Sequence, residues 1–150
     1  MASLPKHVET VEQLDDILTT PSEHLVACFK RLSGDIMVLG AGGKVGPTMV
    51  MLAKRAAEKA GVKKRILAVD VMAKALEPLS MQGVETTTCD LMDPDAVARL
   101  PKIDNIVYMV GRKFGSTGSE SLTWAINVMV PHNVARTFPK SRIAAFSTGC

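Results

Sequence analysis

The stretch from Gly40 to Gly46, Gly-Ala-Gly-Gly-Lys-Val-Gly, spaces three glycines as G-x-x-G-x-x-G directly after an apolar run, Ile36–Leu39. Glycines at that spacing, where a strand hands over to a helix, have a chemical use. Gly40 permits a tight turn with backbone angles other residues avoid. Gly43 lets backbone N–H groups approach a pyrophosphate with no Cβ in the way, and Gly46 lets the helix pack closely on the strand. Unpaired N–H groups and the positive end of the helix dipole then make an anion site. Lys44 and Val45 stand between the last two glycines; Lys44 either adds a charge there or points into solvent. An ordinary flexible turn would also hold glycines. The strand before this one and the amphipathic helix after it favour a dinucleotide loop.

Asp70 ends the next apolar run, Ile66-Leu67-Ala68-Val69. A carboxylate there accepts hydrogen bonds from an adenosine ribose, or it caps the helix that follows. A 2′-phosphate beside it would bring like charges together at a cost on the order of a few kcal/mol. The expected cofactor is therefore NAD and not NADP. Asp90, followed by Leu91, ends a third run and either meets the adenine edge or caps its own loop.

Such residues need a scaffold that brings strand ends to one edge. From Asp35 onward, short apolar runs alternate with helical patterns. Ile36–Leu39 leads to a helix ending near Ala60, residues 65–69 to a short helix, and residues 85–89 to a third. Residues 106–110 precede a long helix, and residues 143–146 follow it. Alternation at this pitch argues for βαβ units with right-handed crossovers. The runs read as continuously apolar, as they should with helices on both faces. The expected fold class is thus α/β, a Rossmann-like doubly wound parallel sheet of about five strands. Met49, Leu52, Ala53, Ala56 and Ala60 form the expected buried stripe of the first helix, with Lys54, Arg55, Glu58 and Lys59 facing away. Asp93-Pro94 supplies an N-cap and a first-turn proline for the third helix. Pro78 is expected to cut the second helix short.

Residues 1–34 read as a separate helical hairpin ahead of a dinucleotide-binding region over 35–150. Thr10 and Gln13 fit a capping box, and Val11, Leu14, Ile17 and Leu18 recur at helical spacing. Ser22 caps a second helix carrying Leu25, Val26, Phe29 and Leu32, and Ser33-Gly34 ends it. The hairpin carries no visible chemistry. Its expected role is packing, against the sheet or against a second copy in a homo-oligomer.

Composition bounds the rest. A chain of 150 residues with 47% hydrophobic and 22% charged residues is ordinary for a globular domain. A net charge of +3 is too small to argue for nucleic acid. Most of the basic excess lies between residues 44 and 65, either as a solvated helix face or as a polyanion patch. Cys28, Cys89 and Cys150 are far apart, with no metal-ligand spacing, which suits a reducing compartment. With no signal-peptide pattern and no run long enough to span a membrane, the expected location is cytoplasmic.

These residues together resemble the extended short-chain dehydrogenase/reductase family, the nucleotide-sugar epimerases and dehydratases, from about Ile36 to the end. Gly40, Gly43 and Gly46 have that family's spacing, and Asp70 and the Asp90-Leu91 pair match its ribose and adenine contacts. Val110-Gly111 stands for a small-residue pair beneath the nicotinamide. Lys113 matches a lysine that UDP-galactose 4-epimerases place near the pyrophosphate. Asn127 matches a helix asparagine whose main-chain carbonyl holds a water of the proton relay. Pro131, four residues on and lacking an N–H, either frees that carbonyl or merely bends the helix. Thr148, or alternatively Ser147, matches the residue that hydrogen-bonds the substrate's reacting hydroxyl. The family's Tyr-x-x-x-Lys pair is absent, since the single tyrosine, Tyr108, lies inside the fourth strand. The resemblance therefore implies the truncated, NAD-binding part of an epimerase or dehydratase that acts on a nucleotide sugar or another small molecule. Such a piece would not turn over alone. The alternative is a non-catalytic dinucleotide-binding sensor or regulator.

Overall fold

The computed structural model describes residues 5–112 and 117–147. Five strands form one parallel sheet in the order β3-β2-β1-β4-β5. They are β1 (Ile36–Leu39), β2 (Ile66–Asp70), β3 (Glu85–Thr88), β4 (Asn105–Tyr108) and β5 (Arg142–Ala145). Ile36 pairs with Ile66 on one side and Asn105 on the other, so β1 is central. The chain runs outward through β2 and β3, then crosses back to β4. The strand order reverses between β1 and β4, and a crevice opens there at the strands' carboxyl ends.

Side chains alternate across the sheet and build two cores. Ile36, Val38, Ile66 and Ala68 pack with Phe29, Val50, Ala53, Ala56, Ala57, Leu76 and Leu79 on one face. Met37, Leu39, Leu67, Val69 and Ile106 pack with Val97, Val130, Val134 and Phe138 on the other. The first face is covered by α2 (Glu23–Arg31), α3 (Gly46–Ala60) and α4 (Ala73–Met81). The second is covered by α5 (Pro94–Arg99) and α7 (Val130–Thr137). The fold is the expected α/β, Rossmann-like doubly wound sheet. Among the described residues no helix is long and apolar enough to cross a membrane.

Several local expectations change. β3 reads Glu-Thr-Thr-Thr and is not apolar, because it is the sheet's edge and meets solvent. β4 stops at Tyr108, which hands Met109 and Val110 to the crevice, and β5 runs one residue earlier than expected. All four β5 residues are exposed along the opposite edge. Pro78 does not shorten its helix. It sits inside α4, which continues to Met81 because Leu76 and Leu79 bury on either side of the proline. That packing offsets a lost hydrogen bond and ring clash worth about 3 kcal/mol. The buried face of α3 is Gly46, Val50, Ala53, Ala56, Ala57 and Ala60, rotated from the expected stripe so that Met49 and Leu52 are half-buried.

That rotation follows from the hairpin, α1 (Val11–Thr19) and α2, which packs along α3. Thr10 Oγ1 accepts from Gln13 N at 3.1 Å, while Gln13 Oε1 accepts from Glu9 N at 2.8 Å, one residue earlier than a standard capping box. Ser22 Oγ caps α2 through Leu25 N at 3.2 Å. Arg55 on α3 reaches Asp16 on α1 at 3.0 Å. Lys64 Nζ donates to the carbonyls of Leu32 at 2.6 Å and Gly34 at 2.7 Å, tying the end of α2 to the sheet.

Candidate functional site

The turn between β1 and α3 lies over the crevice. Gly40 holds φ +84°, and its N–H and that of Ala41 both donate to Val69 O, at 2.9 and 3.0 Å. A side chain at Gly46 would place Cβ 2.2 Å from Ala41 O, and one at Gly42 would place it 2.6 Å from Ala75 Cβ and 2.9 Å from Asp70 Cγ. The fold itself therefore requires glycine at these three positions. Gly43 differs: it is exposed, and a Cβ there would meet only Gly40 O, at 3.3 Å. That contact is tight but is relieved by a shift of a few tenths of an ångström, so the protein constrains Gly43 least of the four, whereas a ligand lying against the turn would exclude a side chain there.

The turn's donors are unevenly used. Gly42 N donates to Asp70 Oδ2 at 2.9 Å, Gly43 N to Gly40 O at 3.2 Å and Gly46 N to Gly43 O at 3.1 Å. The N–H groups of Lys44 and Val45 have no acceptor among the described residues. Helices α1, α2 and α5 are capped by Thr10, Ser22 and Asp93, whereas α3 starts at Val45 with no side-chain cap and a first-turn proline. A 15-residue helix thus presents its positive end and free donors to the crevice.

The Asp70 carboxylate is engaged within the protein, by the glycine turn and by the residue just ahead of α4, whose own N-cap, Met72, makes no side-chain bond. Oδ2 accepts from the glycine turn, and Oδ1 accepts from Met72 N at 3.0 Å at the entrance to α4. Asp90 Oδ1 accepts from Met92 N at 2.9 Å, which shapes its loop, and Leu91 is buried in the second core. Cys89 N donates to Asp70 O at 2.9 Å, so the ends of β2 and β3 stay joined. Burial, helped by the neighbouring Asp90 charge, pushes the Cys89 thiol up and keeps it protonated. Sequence reasoning missed Asn133, an 8% exposed amide on α7 whose Nδ2 donates to Leu91 O at 3.1 Å. Its signal was a polar residue beside Val130 and Val134 on the apolar face of a helix.

Beyond β4 the chain crosses the crevice floor. Asn127 clamps it: Oδ1 accepts from Arg112 N at 2.8 Å, and Nδ2 donates to Arg112 O at 2.9 Å. Asn127 belongs to a wide π-helical turn, Ala125–Met129, between α6 (Glu120–Trp124) and α7, in which Val130 N bonds Ala125 O. The disturbance expected ahead of Pro131 therefore takes the form of a widened turn. A cavity of about 800 Å³ brings together Gly40, Gly43, Lys44, Val45, Gly46, Val110, Gly111, Arg112, Asn127 and Ser147. Asp70, at the end of β2, and Asp90 and Leu91, in the loop after β3, are not among its walls. Lys113 and Thr148 fall outside the described residues.

Tyr108 also borders the cavity, but its hydroxyl is buried without a partner among the described residues. Burial pushes that phenol up to about 12, so it does not accept a proton at neutral pH. Part of the basic stretch is engaged within the protein: Lys54 pairs with Glu58 at 2.6 Å and Arg65 Nε with Glu85 at 2.7 Å, both at the surface, and Lys64 bonds the carbonyl at the end of α2.

No protein-family model matches the chain, and no curated protein matches it by sequence. Solved structures do match in fold. Helicobacter pylori ADP-L-glycero-D-manno-heptose-6-epimerase superimposes with a TM-score of 0.65 at 16% identity, over 78% of this chain and 40% of its own. L-threonine 3-dehydrogenase from Trypanosoma brucei gives 0.59 at 22% identity, over 78% and 37%. Citrobacter sp. triphenylmethane reductase, solved with NADP(H), gives 0.58 at 22% identity, over 75% and 37%. At these identities the likeness establishes a shared fold. The chain spans well under two thirds of the length of each.

Proposed function

We propose that this chain is the dinucleotide-binding part of an oxidoreductase, with NAD as its cofactor. The observation that carries the reading is Gly43, the glycine of the turn that the fold constrains least, set beside the uncommitted N–H groups of Lys44 and Val45. Glycine there leaves room for a pyrophosphate against the backbone. When bound, such a cofactor supplies reversible hydride acceptance. The chain's own residues do the positioning. Lys44, Val45 and the start of α3 hold the phosphates, Asp70 faces the adenosine ribose, and the Asn127–Arg112 clamp sets the floor beneath the nicotinamide.

The finer reading is a nucleotide-sugar epimerase or dehydratase. Its support is the sequence resemblance together with the epimerase among the fold neighbours. In this reading Thr148 meets the substrate hydroxyl, with Ser147, exposed at the cavity rim, as the alternative. The second reading is a non-catalytic dinucleotide sensor or regulator; among the described residues Tyr108, buried in β4, does not serve as a base.

NADH titration by fluorescence tests the assignment. Gly43→Ala should weaken NADH at least tenfold, and Gly43→Val should abolish binding. In both, circular dichroism should match the wild type. Undiminished binding in Gly43→Val would remove the phosphate from this turn.

A further inference from the structure

Asn133 is a buried amide with a specific errand. It lies on α7 between Val130 and Val134, both no more than 2% exposed, and is itself 8% exposed. An amide in that position is costly unless its hydrogen bonds are made. Nδ2 donates to Leu91 O at 3.1 Å and more weakly to Met92 O at 3.4 Å. Both carbonyls belong to the loop that leaves β3. Asp90 shapes that loop from within, through Met92 N at 2.9 Å and an Asp93 N to Asp90 O bond at 3.2 Å. The loop starts beside Asp70, through the Cys89 N–Asp70 O bond. A helix from the far half of the fold therefore fixes the main chain flanking Asp90, 42 residues earlier.

We infer that Asn133 is the positioning residue for the adenosine half of the dinucleotide: it holds the Asp90-Leu91 segment at the height where the adenine edge meets it. The inference rests on the dinucleotide reading above and deepens it. Asn133 itself touches no ligand. Its effect passes through the loop, so it should fall on the adenosine end alone. The nicotinamide end falls to a different pair of residues, the Asn127–Arg112 clamp.

The test compares two ligands on the same protein: NADH, and reduced nicotinamide mononucleotide, which lacks the adenosine half. Asn133→Leu fills the site but offers no donor, and Asn133→Ser leaves a smaller, shorter donor should the leucine variant not fold. Affinities are read well below each variant's melting temperature, NADH by fluorescence and the mononucleotide by saturation-transfer NMR. The expected result is NADH weakened about tenfold with the mononucleotide unchanged. An unchanged NADH affinity with a lowered melting temperature would reduce Asn133 to a structural role and overturn the inference. Equal losses for both ligands would overturn it too, as general loosening. A wild-type protein that binds neither ligand would instead bring down the dinucleotide reading, and this inference with it.

Discussion

The carboxylate of Asp70 holds the backbone N–H of Gly42 at 2.9 Å, fastening the end of β2 to the turn that leaves β1. The same approach leaves Gly42 no space for a side chain. One residue thus shapes the loop and presents negative charge beside it.

Removing that charge while keeping an acceptor separates the two roles. Asp70→Asn retains an oxygen for one of the two N–H groups but no longer repels a 2′-phosphate. Under the proposed reading the NAD over NADP preference should narrow by at least tenfold, since a like-charge contact at intermediate dielectric costs on the order of a few kcal/mol and about 1.4 kcal/mol is tenfold. Parallel titrations with NADH and NADPH check this, and an unchanged ratio would take cofactor selection away from Asp70.

Gly46 should behave as the opposite of Gly43. Alanine improves helix propensity by just under 1 kcal/mol, but its Cβ would sit 2.2 Å from the backbone oxygen of Ala41. Relieving that overlap costs about 2–3 kcal/mol, so packing wins. The net cost of about 1–2 kcal/mol should lower the melting temperature of Gly46→Ala by roughly 2–8 °C, whereas Gly43→Ala should lower it less. Equal melting temperatures for the two variants would contradict the division between fold-required and ligand-required glycines.

Tyr108→Phe should stabilise the protein by about 1 kcal/mol, because it deletes a buried hydroxyl that has no partner among the described residues. The phenol's value rises from 10.0 to about 12 on folding. The folded state therefore favours the protonated form, and this contribution is complete below pH 10 and is lost as pH climbs towards 12. Urea midpoints measured between pH 8 and 11 should fall less steeply in the phenylalanine variant. Superimposable pH profiles would show that the hydroxyl finds a partner in solution.

Much of the site was readable because its signals are local. The G-x-x-G-x-x-G turn, the strand before it and the aspartate ending β2 are each set by neighbours within a few residues. So are the caps Thr10, Ser22 and Asp93, each bonding an N–H two or three positions on. Pro78 and β3 misled for a related reason. Local rules break a helix at proline and ask a strand to be apolar, while burial of Leu76 and Leu79 and an edge position in the sheet decided otherwise.

The sequence by itself determined the alternation of strands and helices, the glycine turn and the position of the carboxylate at the end of β2. Backbone propensity and hydrophobic periodicity act over short spans and are written there directly. Only the tertiary structure decided which glycines the fold needs, how Asn127 seizes the backbone of Arg112, and why Asn133 is an amide. The Gly42–Asp70, Asn127–Arg112 and Asn133–Leu91 contacts join residues 15 to 42 positions apart, and they exist only once the crossovers have stacked α7 and the turns against the same sheet.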